Sequence, residues 1–123
     1  MLINIINSYA DEQDFSLYSI FQVDEPAQYK SNAPDTYRYV FNEITEHIYA
    51  YNEICIMGSI LVSFIVNTDG QLEHIKVIKN DIAGVIENDT IEQIFVSMGK
   101  WVPAKYDGVP VRTLVVYPIV FQQ

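Results

Sequence analysis

Glu43 and His47 stand four residues apart. On a helix that spacing puts a carboxylate and an imidazole on one face, the beginning of a metal site. A site needs a third ligand at a characteristic spacing, and the remaining histidine, His74, lies between Glu73 and Ile75 in a strand-like stretch. The pair therefore reads as a solvated helix face, and no metal or other cofactor is expected. Ser59 and Ser63 alternate with apolar residues and lack the strained Gly-x-Ser-x-Gly elbow of a hydrolase nucleophile. Cys55, the single cysteine, excludes an intrachain disulfide and reads as a small core residue rather than a nucleophile. The turn "NTDG" falls far short of a calcium loop's ligand count, and the Asp24-Glu25 pair sits in a loop. There is no glycine-rich phosphate loop. These residues argue for a non-enzymatic protein.

The elements that position these residues follow from periodicity. Residues 17–23, "LYSIFQV", read as a strand that stops at "DEP". Pro34 suits the first turn of a helix, after which Tyr37, Val40, Phe41, Ile44, Ile48 and Tyr51 recur three or four apart. Ile60, Val62, Phe64 and Val66 share one parity, so they share one face of a strand. "NTDG" reverses the chain, with Asp69 and Gly70 expected to supply positive φ. In the strand that follows, Ile75 and Val77 share a face while Leu72 is out of phase, which predicts a bulge between Leu72 and Ile75. Asp89 and Glu92 fit a variant capping box for a second helix carrying Ile91, Ile94, Phe95, Met98 and Trp101, ended by Gly99 and Pro103. "YDGVP" is a turn, and the chain closes on "VRTLVVYPIVFQQ". The predicted fold is α+β: a small antiparallel sheet, the hairpin plus the C-terminal strand, packed against two helices. Residues 1–33 are expected to form an extension with one strand, and 34–123 the domain.

Pro118 lies inside the last and most strand-like segment. A proline gives no N–H to a ladder, so this strand is expected at a sheet edge. Such an edge suits pairing with a partner's strand; the alternative reading is that the proline only guards the edge against aggregation. Two strands compete for it, a partner's segment and this chain's own residues 17–23. Intramolecular cover is the expectation for the free protein. Self-pairing of two copies would instead give a homodimer.

Composition narrows the partners. The net charge is −9; residues 1–57 hold nine acidic residues against Lys30 and Arg38, and the remainder seven against five. Such a chain repels phosphate backbones and anionic lipid, so no nucleic acid or membrane surface is expected as partner. No apolar run approaches a membrane span. No Lys or Arg precedes Lys30, and "MLINII" is too short for the apolar region of a signal peptide.

The stretch from residue 58 to 121 resembles the C-terminal domain of TonB, in the form found in energy transducers of the Bacteroidetes type. The matching pieces come in order: Gly58 with "ILVSFIV", "TDGQLEHIKVI", the helix entering "GKWVPA", "GVPV" and "YPIVF". Gly70, Trp101, Pro103, Gly108, Pro110, Pro118 and Phe121 fall where that pattern places such residues. The resemblance implies a periplasmic binding module that grips a short segment of an outer-membrane transporter by adding it as a strand. Carried over, the binding residues are Arg112, Thr113, Leu114, Val115, Val116, Tyr117, Ile119 and Phe121. Gly58, Gly70, Trp101, Pro103, Gly108 and Pro118 would be structural. The sequence departs from full transducers: it has no N-terminal membrane helix or proline-rich spacer, "SNAP" stands where Pro-Gly-Gly is common, and Tyr51-Asn52 replaces Tyr-Pro. A stand-alone acidic adaptor or immunity-like inhibitor with the same fold is the alternative, and a chain complete as given would then be expected in the cytoplasm.

Overall fold

The computed structural model describes residues 16–29 and 33–122. The elements run β1 (Leu17–Tyr18), α1 (Ala33–Glu46), a 3-10 turn (Tyr51–Glu53), β2 (Gly58–Val66), β3 (Leu72–Asn80), α2 (Asn88–Ser97), β4 (Ala104–Tyr106) and β5 (Val109–Phe121). The sheet order is β1-β5-β2-β3, with β4 paired to β5. It is a mixed sheet: β2 is antiparallel to β3 and β5, whereas β1 runs parallel to β5. The α+β class and the pairing of hairpin with C-terminal strand match the expectation; β4 and the parallel β1 add to it.

Parity decides the two faces. Ile60, Val62, Phe64 and Val66 of β2 are all fully buried, as are Val40 and Ile44 of α1 and Ile91 and Phe95 of α2. Both helices cover this one face, and each large apolar side chain buried there contributes about 1.5–3 kcal/mol. The opposite face leaves Ile78, Leu114, Val116 and Val120 exposed.

The predicted bulge is present. Ser63 faces Lys76 and Ile65 faces Glu73, so two steps on β2 match three on β3. His74, exposed and at φ 54°, is the residue with left-handed backbone that absorbs the difference. Leu72 and Ile75 thereby both pack against the core with Val77. A second irregularity follows between Leu61 and Val62, and Ile78 beside it turns outward.

Several expectations are corrected. Only Leu17 and Tyr18 of residues 17–23 form a strand; Gln22 N–H then bonds Ser19 C=O at 3.1 Å, and the Gln22 side chain accepts from Ser19 N–H at 2.8 Å. This local turn outcompetes the ladder. The first helix ends at Glu46, where His47 and Ile48 N–H groups bond Ile44 and Thr45 three residues back. Ile48 stays in the core from beyond the helix. In "NTDG" only Gly70 has positive φ, because Asp69 instead accepts Gln71 N–H on its side chain at 2.9 Å. The second helix has Glu87 at its N-cap with no side-chain cap. Glu92 does not close a capping box; its carboxylate reaches across to Val77 N–H at 2.9 Å. Cys55 is exposed, not core. Within "YDGVP", Asp107 (φ 53°) and Gly108 (φ 79°) form the two-residue turn of the β4–β5 hairpin, both positive as a type I′ turn requires.

Candidate functional site: the outer edge of β5

Where Pro118 sits explains how the strand tolerates it. β5 pairs with β2 without interruption from Thr113 opposite Val66 to Phe121 opposite Gly58. Val120 N–H points away from β2, to the Tyr37 hydroxyl on α1 at 3.2 Å. Backbone groups alternate sides along a strand, so the even residues 114, 116 and 118 also face outward. Pro118 thus removes an outward N–H and costs the β2 ladder nothing.

That outer edge is covered from both ends. The parallel register of Leu17 opposite Arg112 and Tyr18 opposite Thr113 directs the outward N–H groups of Arg112 and Leu114 to β1. Tyr37 takes Val120 at the other end. Between them lie Leu114 C=O, Val116 N–H and C=O, and Pro118 C=O, with no strand neighbour among the described residues. Strand cover therefore exists and, among the described residues, reaches only the start of β5. The other sheet edge, on β3, is blunted by the Glu92 carboxylate on Val77 N–H.

The residues expected to bind a partner divide into groups. The Leu114 and Val116 side chains are exposed on the open face. Arg112 lies on that face too, its guanidinium 3.5 Å from the Glu73 carboxylate. Thr113, Val115 and Tyr117 point to the helix-covered side and line a cavity of about 350 Å³ beside the edge, together with Ile20, Val23, Ala27 and Trp101. Ile119 and Phe121 are buried in the core. Burial pushes the Tyr117 hydroxyl up to about 12, with the nearby Tyr37 adding to the shift.

Of the expected structural residues, Gly58 lies against Asp81 at the start of β2, Gly108 sits in the β4–β5 turn and Pro118 lies opposite Leu61, while the Trp101 ring packs on Phe64, Tyr29 and Tyr117 at centroid distances of 5.2, 6.0 and 6.0 Å. Pro103 follows it into β4, and Val102 bonds Gln28 in both directions, at 2.6 and 3.0 Å. Tyr29 is in turn clasped by Thr36, whose hydroxyl accepts from Tyr29 N–H at 2.9 Å and donates to its C=O at 3.0 Å. The segment before α1 is thereby fastened to the domain and supplies one wall of the cavity.

The remaining chemistry-bearing residues do not converge. His47 Nδ1 contacts the Glu43 backbone carbonyl at 2.8 Å, not its carboxylate. Among the described residues no three His, Cys, Asp or Glu side chains gather to hold a metal. No helix described is long and apolar enough to cross a membrane.

The family model of the Gram-negative bacterial TonB protein C-terminal matches residues 53–122, from the 3-10 turn through β5. Searches of curated proteins and of solved structures gave no match.

Proposed function

Because this chain belongs to the TonB C-terminal family, a non-enzymatic protein-interaction domain of energy transduction, we propose that it captures a segment of a partner protein by strand addition at the outer edge of β5. By family the partner is an outer-membrane transporter and the compartment is the periplasm. The observation that carries the reading is the open stretch between β1 and Tyr37, where Leu114 C=O, Val116 N–H and C=O, and Pro118 C=O have no strand beside them among the described residues. An added strand would satisfy those groups, and the exposed Leu114 and Val116 side chains flank it.

Val116→Pro tests this directly. It removes the single outward N–H of the open stretch while leaving the β2 ladder intact, as Pro118 does in the native chain. We expect the melting temperature and circular dichroism to stay close to wild type. Affinity for short peptides drawn from outer-membrane transporters should fall by about tenfold or more, one strand hydrogen bond plus the steric block of the ring. Unchanged affinity in a folded Val116→Pro protein would refute strand addition at this edge.

A further inference from the structure

The cavity beside the open stretch of β5 is apolar where it can be reached. Ile20, Val23, Pro26, Ala27 and Val115 line it with hydrocarbon, and no described lining residue is charged. The polar lining residues add little. Trp101 Nε1 and Thr113 Oγ1 are sealed from solvent, so these two residues offer the cavity carbon only. The Thr36 hydroxyl is engaged with Tyr29, accepting from its N–H and donating to its C=O. Ile20 and Val116 also line the cavity, and they are 53% and 47% exposed, so they bring apolar surface to its mouth. Single exposed apolar residues need no explanation, but an apolar rim on an apolar cavity marks a binding place. The volume of about 350 Å³ is at the small end of ligand cavities, roughly 300–1,000 Å³, and suits one side chain rather than a whole cofactor.

Resting on the strand-addition reading above, we infer that this cavity is an anchor subsite that receives one large apolar side chain, aliphatic or aromatic, from the partner's added strand. The edge itself fixes the occupant. Val115, Val116 and Tyr117 belong to the open stretch and line the cavity, so a strand that takes the Val116 N–H passes the mouth. Such a strand alternates its side chains between the two faces of the sheet. Those beside Leu114 and Val116 fall on the open face, and those beside Val115 and Tyr117 on the helix-covered side. Tyr18 of β1 already stands beside Thr113. The residue beside Val115 is therefore the first partner side chain that can enter.

The lining selects the class. A carboxylate or ammonium would lose its hydration with no counter-charge in return. A carboxamide needs partners for two donor hydrogens and an acceptor oxygen, and of the described lining side chains only Tyr117 has a polar group left to offer. An aliphatic or aromatic side chain leaves nothing unpaired and gains from its removal from water.

The test titrates protein labelled at backbone amides and at Ile, Leu and Val methyls with matched pentapeptides, acetylated and amidated, of sequence Thr-Thr-Xaa-Thr-Thr with Xaa Leu, Phe, Gln or Ala. We expect all four to perturb the Val116 amide. The Leu and Phe peptides should bind about tenfold more tightly than the Ala peptide, and the Gln peptide no better than Ala. Only Leu and Phe should move the Ile20 and Val23 methyls, Phe by the ring current of its side chain. Ile20→Ser, a change at an exposed position, should leave the fold intact and shrink the preference for Leu over Ala. Equal affinities with stationary Val23 methyls, or a preference for Leu that moves the Leu114 methyls in their place, would overturn the subsite and leave strand addition standing. Val23 methyls that shift when residues 1–15 are deleted from the free protein would make this chain's own N-terminal segment the occupant and overturn the subsite too. No perturbation of Val116 by any peptide would overturn both readings.

Discussion

Gly70 and Trp101 are in backbone contact: Trp101 N–H donates to Gly70 C=O at 2.8 Å, and a Cβ built on Gly70 would lie 1.9 Å from Trp101 O. Gly70 also has φ 89° in the β2–β3 turn. A side chain there is excluded twice, by conformation and by the backbone opposite. Two motifs thirty-one positions apart in the sequence thus form one structural unit, which fastens the exit of α2 to the tip of the hairpin. Gly70→Ala should destabilise the fold by roughly 2–4 kcal/mol, combining a left-handed alanine with an overpacked contact. Trp101→Ala, emptying the centre of the aromatic cluster, should cost about 3–5 kcal/mol. Urea melts check both, and a loss below about 1 kcal/mol for either would mean that the contact is not holding the fold.

Asp81 follows β3 and accepts Ser59 N–H at 2.8 Å, with Lys79 Nζ 3.4 Å away. The Ser59 amide first, and Lys79 after it, hold its carboxyl below the usual 3.8. A carboxyl depressed in the folded state adds stability above its unfolded pKa and loses it as pH falls through the folded value. Asp81→Asn should therefore lower the melting temperature near neutral pH. The gap from wild type should close on acidification below the ordinary carboxylate range, and a gap that holds constant with pH would sink this account.

Much of this architecture is legible in the sequence because it rests on local parity. The face shared by Ile60, Val62, Phe64 and Val66 and the bulge between Leu72 and Ile75 follow from spacing, whereas Trp101, read as part of the second helix's stripe, is buried from beyond α2, which ends at Ser97. What was not legible depends on distant partners. Glu92 reads as a helix-capping residue, yet an outward N–H on β3 claims it. Tyr37 reads as one more apolar position on α1, yet its hydroxyl closes one end of the β5 edge. Residues 17–23 have strand composition throughout, but a side-chain turn at Ser19 and Gln22 ends the pairing after two residues. The cavity beside Trp101 has no signature in the chain, since its walls come from β5, the segment before α1 and the turn after β1.

Tyr117 makes the alkaline side of stability a probe of the cavity wall. Its hydroxyl is pushed from 10.0 up to about 12, chiefly by burial. The unfolded chain releases this proton first, so the contribution is fully present below pH 10.0 and is lost as pH rises through about 12. Denaturant midpoints measured across that window should fall more steeply for wild type than for Tyr117→Phe. Parallel curves would show that other tyrosines carry the alkaline transition.

The boundary between β1 and the open stretch can be read amide by amide. The register of β1 places the Leu114 N–H against Tyr18, whereas Val116 N–H faces outward beyond the end of β1. Hydrogen exchange should therefore be slow at Leu114 and fast at Val116, although both lie in one continuous strand and both side chains are exposed. Exchange at Val115 and Tyr117, whose N–H groups face β2, sets the protected reference. Removing residues 1–18 deletes β1 and keeps the Tyr29–Thr36 clasp that fastens the rest of the segment. In that variant Leu114 should become as fast as Val116 while Val115 and Tyr117 stay protected. The edge open to a partner would then lengthen by the two N–H groups of Leu114 and Arg112, and transporter peptides should bind the truncated chain more tightly. If Leu114 keeps its protection after the deletion, β1 is not what covers it. If Val116 is as slow as Val115 in the full chain, the stretch taken here as the docking edge is already occupied in the free protein.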